Sequence, residues 1–160
     1  MVVMSEPQEV LSAIGSETLE QLAFLFSVSE EIDRTIAAEG ATGCRIPFSG
    51  AGFGELVLLI SSAVLPELAA NMLGEEDGCD LDTEQMQDAL RETGNVMCGN
   101  ILPSIYGKDA VFDLASPEIL SEGEIRRLME VFQTVDGVHR SALLSLDEGE
   151  CQLFLKGTLH

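Results

Sequence analysis

Between residues 82 and 102 (DTEQMQDALRETGNVMCGNIL), Met86, Leu90, Met97 and Ile101 recur at helical spacing, and Asp88, Glu92, Asn95 and Gly99 recur between them at spacings of four, three and four. At about 100° per residue, the polar set falls within roughly 60° of arc and the apolar set on the opposite side. The pattern predicts an amphipathic helix that buries its Met/Leu/Ile stripe and turns an acid, an amide and a gap outward. Asp82 and Gln85 form a plausible capping pair at its start, and Pro103, lacking an amide proton, predicts an end or a kink near Leu102.

The same reading places a first amphipathic helix over residues 7–28, with Ser5 as cap. Strands follow over 43–48 and 53–61 around the turn SGAG, whose glycines permit positive φ. A short helix over 66–73 should stop at Gly74. After the main helix comes a turn at Tyr106-Gly107-Lys108-Asp109, a strand over 111–116 and a short helix over 123–129. Three strands, separated by Asp136-Gly137 and by Asp147-Glu148-Gly149, close the chain. Nothing resembling a linker divides it. The fold class expected is α/β (α+β): one two-layer domain over residues 1–160, with helices packed on a largely antiparallel sheet.

Composition narrows the function. The 160 residues are 46% hydrophobic, enough for a sizeable core, while 28 acids against eight bases give a formal charge of −20. Nucleic acid and anionic membrane are poor partners for such a surface. The four cysteines (Cys44, Cys79, Cys98 and Cys151) show no ligand spacing, and the first residues have neither the basic region nor the apolar core of a signal peptide, so a cytoplasmic location is expected. With only His139 and His160, neither a zinc site nor a Ser/His/Asp triad has its parts in order. The glycines at 50, 52 and 54 read as a hairpin rather than a phosphate loop.

The run D-x-x-x-E-x-x-N at Asp88, Glu92 and Asn95, followed by Gly99-Asn100, the segment VFDLAS and then Pro117, resembles the CheC/CheX family of chemotaxis phosphatases. The resemblance implies a phosphatase for the phospho-aspartate of a CheY-like response regulator. In that role Asn95 would position the attacking water and Glu92 would dock to the regulator's lysine. Asp88, Gly99 and an exposed Leu102 would form the partner contact. No cofactor would be bound by this chain; Mg2+ would arrive with the partner. A non-catalytic module that holds a response regulator with the same helix is the alternative.

Proteins of that family are built from two similar halves, here roughly 10–73 and 80–158. Ser16, Glu20 and Ala23 repeat the motif spacing in the first half, with Ser27 at the glycine position and Pro47 following. The segments 45–61 and 130–146 both read as a short strand, a turn and a longer apolar strand. Some members form homodimers by strand exchange, and the terminal hairpins could do so here.

Overall fold

The long apolar runs become the middle of one antiparallel sheet. In the computed structural model, which describes residues 7–30, 35–75, 80–134 and 139–157, β2 (Ala41–Gly50) pairs with β3 (Gly54–Ser61) and β3 with β7 (Gly149–Gly157). β7 pairs in turn with β6 (His139–Leu146). Short strands flank these four. β1 (Val28–Glu30) lies along β6, while β4 (Phe112–Leu114) and β5 (Glu118–Leu120) lie one after the other along β2. The order is β1-β6-β7-β3-β2-β4, with β5 beside β2 as well.

Three helices cover one face: α1 (Pro7–Ala23), α2 (Leu65–Leu73) and α3 (Thr83–Tyr106) pack on the side that presents Ile46, Leu56, Leu58, Ile60, Leu153 and Leu155. α4 (Glu122–Thr134) covers part of the other face, setting Ile125 and Met129 against Val57, Leu59 and Phe154. Side chains alternate along a strand, so covering both faces explains why β3 reads as unbroken apolar sequence from Leu56 to Ile60. Each of these fully buried side chains contributes about 1.5–3 kcal/mol relative to exposure.

Local signals are obeyed at several ends. Gln85 donates its amide to Asp82 Oδ1 at 2.8 Å and accepts from the Asp82 amide at 3.1 Å, completing the capping box of α3. Gly74 closes α2 in the left-handed region at φ 71°. The hairpin between β6 and β7 turns at Asp147-Glu148.

Three expectations are corrected. α1 stops at Ala23 rather than near Val28, because the Asn71 side-chain amide donates to the Ala23 carbonyl at 2.6 Å and Phe24 adopts a φ of 54°. Residues 130–134 belong to α4 and not to a strand, since Ile125 and Met129 place one apolar stripe on the sheet at a spacing of four. The parallel between segments 45–61 and 130–146 therefore holds only for their later apolar strands. Of the end or kink expected near Leu102, the end is excluded, because α3 continues through Pro103 to Tyr106. The proline deprives only the Gly99 carbonyl of its donor, on a face open to water, and Tyr106 anchors the last turn edge-on to Phe48 and Phe112. Ser5, Cys79, the Asp136-Gly137 turn and His160 lie outside the described residues.

Candidate functional site

α3 packs closely on β2 at Gly94. A Cβ at Gly94 would come within 2.8 Å of both Cys44 Sγ and Ile46 Cδ1, so only glycine lets the helix rest directly on β2 at this point. Thr93, fully buried beside it, donates its hydroxyl to the Ala89 carbonyl at 2.8 Å. Leu90, Met97 and Ile101 are fully buried and Met86 packs at the core's margin, as the apolar stripe requires. Asp88, Glu92, Asn95 and Gly99 are exposed.

The second wall comes from the sheet edge. Phe48 pairs with Leu114 and Arg45 with Glu118, so Ile46 and Pro47 of β2 face three residues, Ala115, Ser116 and Pro117. This is a bulge with a plain cause: Pro47 has no amide to offer its neighbour, although its carbonyl still accepts from the Ala115 amide at 2.9 Å, and Pro117 has no amide either. The Arg45 to Glu118 ion pair, at 2.6 Å, fastens the chain again below the bulge.

Between helix and bulge lies an open groove of about 440 Å³, lined by Asp88, Arg91, Glu92 and Asn95 on one side and by Leu114, Ala115, Ser116 and Pro117 on the other. Glu92 and Asn95 make no hydrogen bond or ion pair with any described residue, whereas Asp88 holds Arg91 Nη1 at 2.6 Å. At Gly99 an added Cβ would meet nothing within 4 Å. The fold thus needs glycine at 94 but not at 99, where it weakens the helix by about 1 kcal/mol relative to alanine.

Of the residues expected at the site, Asp88, Glu92 and Asn95 line the groove together with Pro117, and Gly99 lies a turn further along the same exposed face. Leu102 does not belong to it. It is 1% exposed and part of the main core, because the buried arc of α3 spans more than half the helix and takes in a residue about 40° from the polar stripe. The sequence pattern singles out as site residues neither Arg91 nor Leu114 and the bulge residues Ala115 and Ser116. Arg91's position between Asp88 and Asn95 is a usable signal, while the bulge depends on pairing with distant Pro47.

The proposed first copy of the motif is also corrected. Ala23 is completely buried at the last residue of α1, Ser27 is outside any helix, and the Ser27 hydroxyl donates to Ser16 Oγ at 2.9 Å. Pro47, expected to accompany that copy, serves the groove of α3 instead.

Other chemistries lack their parts. Burial pushes the thiols of Cys44, Cys98 and Cys151 up to about 12, which leaves them protonated near neutral pH and without nucleophilic character. Among the described residues no group of three or more His, Cys, Asp or Glu side chains is gathered as a metal-ligand set, and no helix is long and apolar enough to cross a membrane.

The architecture is shared with solved chemotaxis proteins. The CheX chemotaxis protein of Desulfovibrio desulfuricans superposes with a TM-score of 0.70 at 12% identity, covering 96% of this chain and 100% of that one. CheX of Vibrio vulnificus gives 0.68 at 18% identity, with 99% and 100% covered. The Borrelia burgdorferi structure described as a CheX-CheY-BeF3-Mg+2 complex gives 0.66 at 17% identity, with 95% and 97% covered. No curated protein matches the sequence. The sheet and its helices thus have the fold of the CheX- and CheC-like proteins. Within it, the chain belongs to the chemotaxis phosphatase CheX family, whose model matches residues 42–135, a span that includes α3 and the whole bulge.

Proposed function

We propose that the groove beside α3 hydrolyses the phospho-aspartate of a CheY-like response regulator. The observation that carries this reading is the pair Glu92 and Asn95, exposed on an open groove and unengaged by described residues, on a helix that Gly94 seats firmly on the sheet. The Borrelia relative, described as a complex of CheX with CheY, supports a partner of that kind.

An acyl phosphate is already labile, so the protein need only place a water in line with the bond to be broken and hold that geometry. The Asn95 amide is suited to this, since its carbonyl oxygen accepts from the water while its NH2 donates to a phosphoryl oxygen, with no change of charge. Glu92, on the same face a turn earlier, ion-pairs with the regulator's lysine and fixes the angle at which the helix docks. Gly99 lets the partner's backbone approach the helix closely. Mg2+ brought by the partner would offset phosphoryl charge there; the residues of this chain bind, orient and position.

The test is to incubate the purified protein with a panel of phosphorylated receiver domains and time the release of phosphate. Accelerated release from at least one receiver is expected. Release at the spontaneous rate from every receiver, by a protein that still binds one of them, would replace the phosphatase with a holding module.

A further inference from the structure

Resting on the phosphatase reading, we infer that Arg91 is the anion-binding residue of the groove and that Asp88 acts through it as a positioning residue. Arg91 is the single cation among the lining residues, in a chain with 28 acids and eight bases. Without it the only charges on the helical wall would be those of Asp88 and Glu92, and a phosphoryl group would approach two carboxylates. Arg91 precedes Asn95 by four residues, so guanidinium and amide are neighbours on the helix surface.

The state of Arg91 fits that role. Nη1 is held by Asp88 Oδ1 at 2.6 Å, and the remaining N–H groups have no partner among the described residues. The two side chains are 36% and 66% exposed, and such a solvent-exposed pair three residues apart adds little to the helix. An incoming oxygen anion can therefore join Asp88 or displace it with little penalty. The planar fork of a guanidinium matches phosphate and carboxylate oxygens alike. With Glu92 beside it, the wall selects a partner that brings a cation to Glu92 and an anion to Arg91, and like charges at either place oppose docking. The anion is an oxygen of the phosphoryl group or of a carboxylate next to it.

The experiment uses a receiver domain that the wild type dephosphorylates, either unloaded or loaded with beryllofluoride and Mg2+. Arg91→Gln should weaken binding roughly tenfold at low salt and raise KM, with Arg91→Lys recovering part of the loss. Arg126→Gln on α4, which removes one positive charge from an exposed ion pair away from the groove, should leave both unchanged. Asp88→Asn should have a smaller effect and none in the Arg91→Gln background. A loss confined to the loaded receiver, with kcat lowered too, identifies the phosphoryl oxygens; an equal loss on both forms identifies a carboxylate, and each supports the inference. Wild-type affinity in Arg91→Gln, or a matching loss in Arg126→Gln, overturns it. Additive effects of Asp88→Asn and Arg91→Gln overturn the positioning role of Asp88. A wild type silent on every receiver overturns the phosphatase reading, and this inference with it.

Discussion

α1 and α3 lie side by side on one face of the sheet, and both are seated by glycine. Gly15 of α1 would place a Cβ 2.6 Å from Leu153 Cδ1, and Gly94 would place one 2.8 Å from Cys44 Sγ and Ile46 Cδ1. From these glycines the buried positions match in order, Leu11 with Leu90, Leu19 with Cys98 and Ala23 with Leu102, always 79 residues apart. In that register Ala13 stands where α3 has Glu92, Ser16 where it has Asn95 and Glu20 where it has Gly99. The seating of the two helices is alike; their outward chemistry is not. The short strand after α1, β1, pairs with β6 at Val28, Ser29 and Glu30.

The difference teaches why the motif-like spacing of Ser16, Glu20 and Ala23 misleads. It is displaced by seven residues, about two full turns, and so nearly preserves helical phase. Periodicity cannot detect such a slip; contact with the sheet can.

The sharpest way to break the comparison is to make the two faces chemically equal. Asn95→Ala should lower phosphate release by about 10² or more, the scale for removing one preorganised polar group from a transition state. Its melting temperature should match the wild type, because Asn95 is exposed and alanine is the better helix former. Equal turnover at matched melting temperature would remove Asn95 from the active role.

The two glycines of α3 should respond in opposite directions. Gly94→Ala should destabilise the protein by roughly 1–3 kcal/mol through overpacking against Cys44 and Ile46, visible in urea denaturation. Gly99→Ala should instead add about 1 kcal/mol of stability while weakening affinity for a receiver domain. If Gly99→Ala binds as tightly as the wild type, close backbone approach is not needed at that turn.

Glu92→Gln should weaken docking by a few-fold at low salt and by less at high salt, since a partly open ion pair is screened over a Debye length of about 10 Å at 0.1 M. Isothermal titration of a phosphate-mimic-loaded receiver across a salt series reads the effect. An unchanged affinity throughout means that the ion pair is not made.

The smallest effect expected is none. Ala13→Glu with Ser16→Asn, placed in an Asn95→Ala background, writes the acid and the amide onto α1 in the register set by Gly15. Phosphate release should stay at the level of Asn95→Ala, because Glu20 occupies the glycine position and puts a charged side chain where a partner's backbone would approach. Restored turnover would show that an open glycine position is dispensable.

How much of the molecule is legible in its sequence follows from the range of each interaction. The helix of residues 82–102, its Asp82/Gln85 cap and its polar stripe are local facts, and each is legible. The continuation through Pro103 is not, because it depends on Tyr106 reaching Phe48 and Phe112. Residues 130–134 carry strand-like side chains, yet they continue α4, whose Ile125 and Met129 pack on the sheet at a distance the local pattern does not reveal. At the site, Glu92 and Asn95 can be named from one helix, and the solvent-facing role of Leu102 cannot be judged without knowing how wide the buried arc is. The other wall of the groove requires knowing that Pro47 lies opposite Ala115.

That proline has a further consequence, for association of the folded chain. β2 is long enough to carry a full-length neighbour, and an uninterrupted outer strand there would present a straight row of amides and carbonyls able to recruit strands from other molecules. The break opposite Pro47 leaves two pieces of three residues each, out of line with one another and flanking a proline. A concentrated solution should therefore be protected from edge-to-edge polymerisation on this side by the same irregularity that shapes the groove. Restoring a regular edge by replacing both Pro47 and Pro117 would put colloidal stability and catalysis at risk together.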